Sequence, residues 1–271
     1  MNLVGIMIGR LSSATDNRIQ FFPNDWEKEF PLAKELGFDF IQWFLDRDIP
    51  NFDPINDIWR DPDVLKKIDY VRKILPISSV DCGFYFMFGP KANISFEYFS
   101  SLLKPLSSRL SEGILSIPLL EKSAPHSEKE KKEALITLQK IADKAKPLGL
   151  RLALETEMPA TELIKFIESC DRENIGVSYD TGNCTSYGFN CPHDIRLLDK
   201  MIFEVHLKDR KVGSTQSVLL GKGDTDFINC FQAFKDIDYQ GTYTLQAWRG
   251  EDFIFDSKNQ LDFIKNILNK K

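Results

Sequence analysis

Phe203-Glu-Val-His-Leu-Lys-Asp-Arg210 reads as a buried strand that runs straight into clustered polar side chains. Alternate residues of a strand point the same way, so His206 and Lys208 share a face at its tip. A neutral imidazole is the commonest side-chain metal ligand, and a lysine two positions on suits an anionic substrate group. His206 is one of only three histidines in the chain. A lone strand histidine is usually scaffolding, so its weight depends on how the other strands end.

Working outward, the same rhythm recurs on both sides. Downstream, a helix over 226–237 leads to Gly241-Thr-Tyr-Thr-Leu-Gln246, and a closing helix spans 257–269. Upstream, Ile175-Gly-Val-Ser-Tyr-Asp180 and Leu150-Arg-Leu-Ala-Leu-Glu-Thr-Glu157 are strands, each followed by a helix. Earlier still, apolar runs over 3–8, 38–44, 77–82 and 113–118 alternate with helical stripes over 61–75, 95–109 and 127–148. A helix toward Leu36, stopped by Gly37 and opened by Asn24 with Glu27 as a capping box, completes the series.

Alternating strands and helices imply parallel pairing with right-handed crossovers, and eight such units in about 250 residues match a closed (β/α)8 TIM barrel. No GxGxxG follows the first strand, no linker or low-complexity segment breaks the chain, and residues 1–271 are expected to form a single α/β domain. A composition of 42% hydrophobic residues over 271 positions supports a core of that size. No apolar run reaches the ~18 residues of a membrane span, and Met1-Asn2-Leu3 leads into a strand instead of a signal region. The five scattered cysteines lack a CxxC pair, as expected of reduced thiols. The expectation is a soluble, cytoplasmic protein. Its formal charge of -5 offers no general attraction to nucleic acid.

In such a barrel every strand delivers its last side chains to one rim, where chemistry is done. Reading the strand ends yields Arg10, Gln42, Glu155 with Glu157, Asp180 with Asn183, His206 with Lys208 and Asp209, and Gln246 with Arg249. Glu155, Asp180, His206 and Gln246 together offer three oxygen donors and one nitrogen. That set suits a divalent ion such as Mn²⁺, Mg²⁺, Co²⁺ or Zn²⁺. Asp209 reads either as a residue orienting a ligand or as half of a surface pair with Arg210. Leu220-Gly-Lys-Gly-Asp-Thr-Asp226 reads either as an anion-binding turn at a helix start or as a flexible loop with Asp226 as cap. Trp43, Trp248 and the aromatics from Phe84 to Phe88 are candidate pocket walls, with core packing as the simpler reading. His126, His193 and Cys184 are assigned no chemistry.

Gly5-Ile-Met-Ile-Gly-Arg-Leu11, Ile19-Gln-Phe-Phe-Pro23, Leu154-Glu-Thr-Glu157, Tyr179-Asp-Thr-Gly-Asn183, Val205-His-Leu-Lys-Asp209, Leu220-Gly-Lys-Gly223 and Leu245-Gln246 occur in an order that resembles the sugar-phosphate isomerase/epimerase family. This is the xylose-isomerase-like TIM-barrel group, which includes hexulose-phosphate isomerases and ketose 3-epimerases. The resemblance implies a divalent metal at Glu155, Asp180, His206 and the strand-eight position, binding vicinal oxygens of an open-chain sugar. It implies proton transfer through an enediolate, with Glu155 as first choice of base and Glu157 next. Arg10, Gln42, Asn183, Lys208 and Arg249 are then expected to bind substrate, a small sugar or sugar phosphate, and a homo-oligomer is compatible with the sequence.

Two departures from that pattern stand out. Many epimerases of the family end the eighth strand in a second glutamate, and this chain has Gln246; position 42 is also glutamine. A glutamine offers a carbonyl oxygen to a metal but cannot accept a proton. The sequence therefore leans toward isomerisation, or toward an epimerase that recruits another acid. The competing readings are a non-catalytic sugar-binding paralogue, a dehydratase that loses a β-hydroxyl, and an abasic-site endonuclease. The last needs more rim histidines and a basic face.

Overall fold

A computed structural model of the chain describes residues 2–13, 23, 25–45, 59–83 and 96–269. The apolar runs become parallel strands β1 (Val4–Met7), β2 (Ile41–Phe44), β3 (Ile77–Asp81), β4 (Leu110–Leu119), β5 (Arg151–Thr156), β6 (Ile175–Asp180) and β7 (Ile202–Leu207). A two-stranded ribbon of β8 (Asp209–Arg210) and β9 (Ser217–Val218) precedes the last barrel strand, β10 (Thr242–Leu245). Barrel strands pair in the closed order β1-β10-β7-β6-β5-β4-β3-β2, the (β/α)8 architecture expected from the alternation.

Helices α1 (Glu29–Leu36), α2 (Pro62–Val71), α3 (Phe96–Ser107), α4 (Glu128–Ala145), α5 (Ala160–Cys170), α6 (Thr181–Ser186), α7 (Cys191–Leu198), α8 (Phe227–Asp236) and α9 (Phe253–Leu268) fill the connections. Their ends follow local chemistry. Asp61 caps α2 ahead of Pro62, Ser127 and Glu130 form a reciprocal capping box on α4, and Gly37 closes α1 in the left-handed region at φ 92°. The Asn24 box lies outside the described residues. Pro105 lies inside α3, where it removes one N–H from the hydrogen-bond ladder, and the helix ends two residues later at Ser107.

Three differences from the sequence reading have plain causes. Helix α9 begins at Phe253 instead of 257 because Asp252 accepts from the Phe255 amide and adds a turn with an exposed Phe255. Helix α6 goes unpredicted because Thr181-Gly-Asn-Cys-Thr-Ser186 is poor in helix formers; Asp180 caps it. The β8/β9 ribbon is too short for periodicity to register.

Outward-facing barrel residues pack under the helices. Trp43, fully buried, meets Trp26 and Trp59 edge-on at ring-centroid distances of 5.1 and 5.2 Å. It is core, not a pocket wall, while its neighbour Gln42 faces the opposite way into the barrel's polar interior. Phe84 to Phe88 lie outside the described residues. On the far side Tyr179, Phe231, Phe234, Tyr239 and Tyr243 form a continuous set of tilted and edge-on aromatic contacts. Burying each such ring is worth about 2–3 kcal/mol. The site therefore rests on a stiff wall formed by β6, β10 and α8. Among the described residues no helix is long and apolar enough to cross a membrane.

Candidate metal and sugar site

Register sets the site. Asp180 pairs with His206 across β6 and β7, Thr244 pairs with His206 across β7 and β10, and the Gln246 amide donates to the Leu207 carbonyl. The strand tips therefore come level at one rim, as the strand-end reading requires.

His206, fully buried, is bracketed by two carboxylates. Its Nδ1 lies 3.3 Å from Glu155 Oε2 and its Nε2 lies 3.3 Å from Glu204 Oε1. Gln42 Nε2 stands 2.9 Å from the same Nε2 and donates to Glu204 Oε2 and Ser79 Oγ. Burial alone would depress the imidazole pKa, but the hydrogen bonds and charges of Glu155 and Glu204 raise it well above its ordinary value.

Asp81, at the tip of β3, completes the centre. One ligand atom from each of Asp81, Glu155 and His206 lies within 4.8 Å of the other two, and all three residues are buried. Burial, reinforced by the Glu155 charge, pushes the Asp81 carboxyl up to about 7. Gln246 Nε2 donates to Asp81 Oδ2 at 3.2 Å and to Gln42 Oε1 at 3.0 Å. Its own Oε1 is buried with no hydrogen-bond partner among the described residues.

The Asp180-Thr-Gly-Asn183 turn is legible atom by atom. Asp180 Oδ1 accepts from the Asn183 amide at 2.8 Å, and Oδ2 accepts from Lys208 Nζ at 2.6 Å. Burial works against its ionisation, yet Lys208, Arg210 and His206 hold the Asp180 carboxyl below its ordinary pKa. Thr181 Oγ1 donates to the Lys208 carbonyl at 2.7 Å. Gly182 leaves room for Lys208: a Cβ there would meet its backbone and side chain at 2.9 Å. Asn183 Nδ2 donates to Glu155 Oε1 at 2.5 Å, while its Oδ1 is buried without a partner among the described residues.

The remaining candidates divide. Arg10 and Arg249 are buried beside Glu29 of α1. Burial and the neighbouring Arg249 lower Arg10 to about 9 against the pull of Glu29, and burial lowers Arg249 to about 10. Glu29 accepts from the Gly9 amide at 2.7 Å and is raised to about 7 by burial. Glu157 stands further out, half-buried, its Oε1 accepting from the Glu121 amide at 2.6 Å.

Asp209 is fully buried, so it is no surface pair with Arg210. Its Oδ2 accepts from the Gly221 and Gly223 amides at 2.8 Å each, and its Oδ1 from the Thr225 amide at 3.2 Å. The glycine-bearing turn does cradle an anion, and the anion is this carboxylate. Its partners are loop amides, not a surface arginine.

Sequence reasoning missed Asp81, Glu204 and Glu29. Asp81 ends its strand as Asp180 does, and Glu204 lies two residues before His206 on the same face. The signal for both was present in the strand-end and alternation rules. Glu29, on a helix, carried none.

The donor set fits a divalent cation. Asp81, Glu155, Asp180 and Glu204 outweigh Lys208 and His206 in charge, and buried unbalanced carboxylates are costly without a counter-ion. Gln246 Oε1, without a hydrogen-bond partner among the described residues, is a further oxygen on a residue that touches Asp81.

The structure is a (β/α)8 barrel with an acidic, histidine-bearing centre among its strand tips. The chain belongs to the xylose isomerase-like TIM barrel family, whose model matches residues 30–267. It is similar to a putative L-ribulose-5-phosphate 3-epimerase, SgbU, of Haemophilus influenzae, 23% identical over 242 residues, 82% of this chain and 84% of the relative. It is also similar to the L-ribulose-5-phosphate 3-epimerase UlaE of Escherichia coli, 22% identical over 259 residues and 90% of each chain. Among solved structures, a D-allulose 3-epimerase from Methylomonas sp. superposes with a TM-score of 0.75 at 18% identity, covering 98% of both chains. The IOLI protein with a binding zinc atom superposes at 0.72 and 16% identity, over 98% of this chain and 96% of that one.

Proposed function

We propose that this chain is a divalent-metal-dependent 3-epimerase of a ketose, free or phosphorylated. The observation that carries the reading is the meeting of Asp81, Glu155 and His206 within 4.8 Å beside the unspent oxygen of Gln246. The ketose 3-epimerases among its relatives and structural neighbours support the choice of reaction.

Asp81, Glu155 and His206 would hold the ion, with Gln246 Oε1 as a further donor. Held there, it supplies Lewis acidity that polarises a carbonyl and acidifies the adjacent carbon-bound proton. Asp180 joins this set only if Lys208 withdraws, because Oδ2 is committed to the ammonium. Its work is to cap α6 and so place Asn183 against Glu155. Glu155, steadied by Asn183, takes the proton as general base.

Epimerisation needs a second acid to return a proton to the opposite face, and Gln246 cannot serve. Asp81 supplies the carboxyl that the tip of β10 lacks, delivered from β3 and hydrogen-bonded to that same glutamine. Of the two readings left open by the sequence, an isomerase or an epimerase that recruits another acid, Asp81 favours the second. Glu157, engaged at the rim with Glu121, is the weaker candidate for either proton. A panel of pentuloses, hexuloses and their phosphates, chromatographed after incubation with the metal-loaded protein, tests the proposal. The expected product is the C3 epimer; an aldose, a chromophoric enone or no turnover contradicts it.

A further inference from the structure

Glu204 takes no part in the scheme above, yet it is a fully buried carboxylate lying against the candidate metal ligand His206. It comes from the same strand two residues earlier, so alternation places it on the same inner face. Its oxygens are tethered on three sides: Oε1 accepts from Ser178 Oγ at 3.2 Å and lies 3.3 Å from His206 Nε2, and Oε2 accepts from Gln42 Nε2 at 3.2 Å. The opposite ring nitrogen, Nδ1, lies 3.3 Å from Glu155 Oε2, an acceptor that would draw a proton to it just as Glu204 does to Nε2; a cation shared with Glu155 takes that proton's place.

An imidazole ligates through a bare nitrogen, and the hydrogen bond made by the other nitrogen decides which one is bare. Three neighbours compete for His206 Nε2; one of them, Ser178 Oγ at 3.3 Å, can donate or accept and so selects neither tautomer by itself. The Gln42 amide nitrogen, at 2.9 Å, favours a bare Nε2 that accepts, which puts the proton on Nδ1 and closes that side to a cation. The Glu204 carboxylate is acceptor-only and favours a protonated Nε2, which turns the Nδ1 lone pair toward Glu155 and Asp81. A charged acceptor makes the stronger bond, and Gln42 has Glu204 Oε2 and Ser79 Oγ as alternative acceptors for its two hydrogens.

We infer that Glu204 is a positioning residue that fixes the Nε2–H tautomer of His206, so that the imidazole meets a divalent cation through Nδ1. The inference rests on the metal site proposed above and adds the residue that prepares its nitrogen ligand. Removing such a carboxylate partner typically weakens metal binding by on the order of 10- to 100-fold.

The test is long-range ¹H–¹⁵N NMR of imidazole-labelled protein loaded with diamagnetic Zn²⁺, alongside Zn²⁺ affinity measured by competition with a chelating dye. With three histidines in the chain, single replacement of His126 and His193 assigns the remaining pattern to His206. The expected result is a protonated Nε2 and a metal-shifted Nδ1, with Glu204→Gln weakening Zn²⁺ at least tenfold. Ligation through Nε2, or an affinity held within twofold in Glu204→Gln, overturns the inference and leaves the metal site standing. Failure of the unaltered protein to bind Zn²⁺ overturns both. Should Glu204→Gln fail to fold, the spectrum of the unaltered protein decides alone.

Discussion

Gln246 donates its side-chain amide to Asp81 Oδ2 across 3.2 Å, which joins the tip of β10 to the tip of β3 over the barrel mouth. The carboxylate looked for on the eighth strand is thus present in space, on a strand far away in sequence. Asp81→Asn should lower kcat by about 10² to 10⁴, the usual worth of a general acid or base, while the metal-free protein keeps its fold. Steady-state kinetics with circular dichroism checks this. A variant within twofold of normal kcat removes Asp81 from the chemistry.

Lys208 is better explained by Asp180 than by substrate. The pair is buried, with Nζ and Oδ2 2.6 Å apart. Lys208→Met should therefore cost about 3–5 kcal/mol in urea unfolding, because it strands an ionised carboxylate in the interior. A cost below about 1 kcal/mol, accompanied by a large rise in KM, would return Lys208 to substrate binding.

Glu29 gives the fold a pH signature. Burial raises its carboxyl from 4.5 to about 7, so between those values the folded chain keeps a proton that the unfolded chain has released. The stability contributed by this residue is full below about 4.5, declines as pH rises, and is lost above about 7. The stability difference between the native chain and Glu29→Gln should then favour the native chain more at pH 5 than at pH 8, by on the order of 3 kcal/mol. Denaturant titrations at the two pH values measure it. An invariant difference means that Glu29 ionises normally beside Arg10 and Arg249.

Gly223 is required by contact, not by conformation. A Cβ there would sit 2.2 Å from Asp209 Oδ1. Gly223→Ala should cost about 1–3 kcal/mol through overpacking, and Asp209→Ala at least as much by leaving the Gly221, Gly223 and Thr225 amides without their acceptor. Thermal unfolding reads both. An unchanged melting temperature in Asp209→Ala denies the carboxylate its structural role.

The barrel was readable because alternation needs only apolar runs of the right period, and β5, β6, β7 and β10 carry them with little interruption. The site was readable only in part. Glu155, His206 and Gln246 come to one place because strand tips share a rim. The commitment of Asp180 to Lys208 was hidden, since a salt bridge across neighbouring strands depends on side-chain length and on the clearance made by Gly182. Asp81 and Glu204 follow the same positional rules but sit where attention falls on neighbours, an aromatic loop after Cys82 and a histidine two residues on. The Asp209 turn could not be separated from an anion site by sequence, because the same backbone amides serve either anion.

Deuterium exchange tests the proposed chemistry most directly. A ketose turned over in D₂O by the metal-loaded protein should acquire deuterium at the carbon whose configuration changes, and Glu155→Gln should abolish that exchange while remaining folded. Exchange that persists in Glu155→Gln, or a panel of ketoses and ketose phosphates from which no proton is ever exchanged, would contradict it.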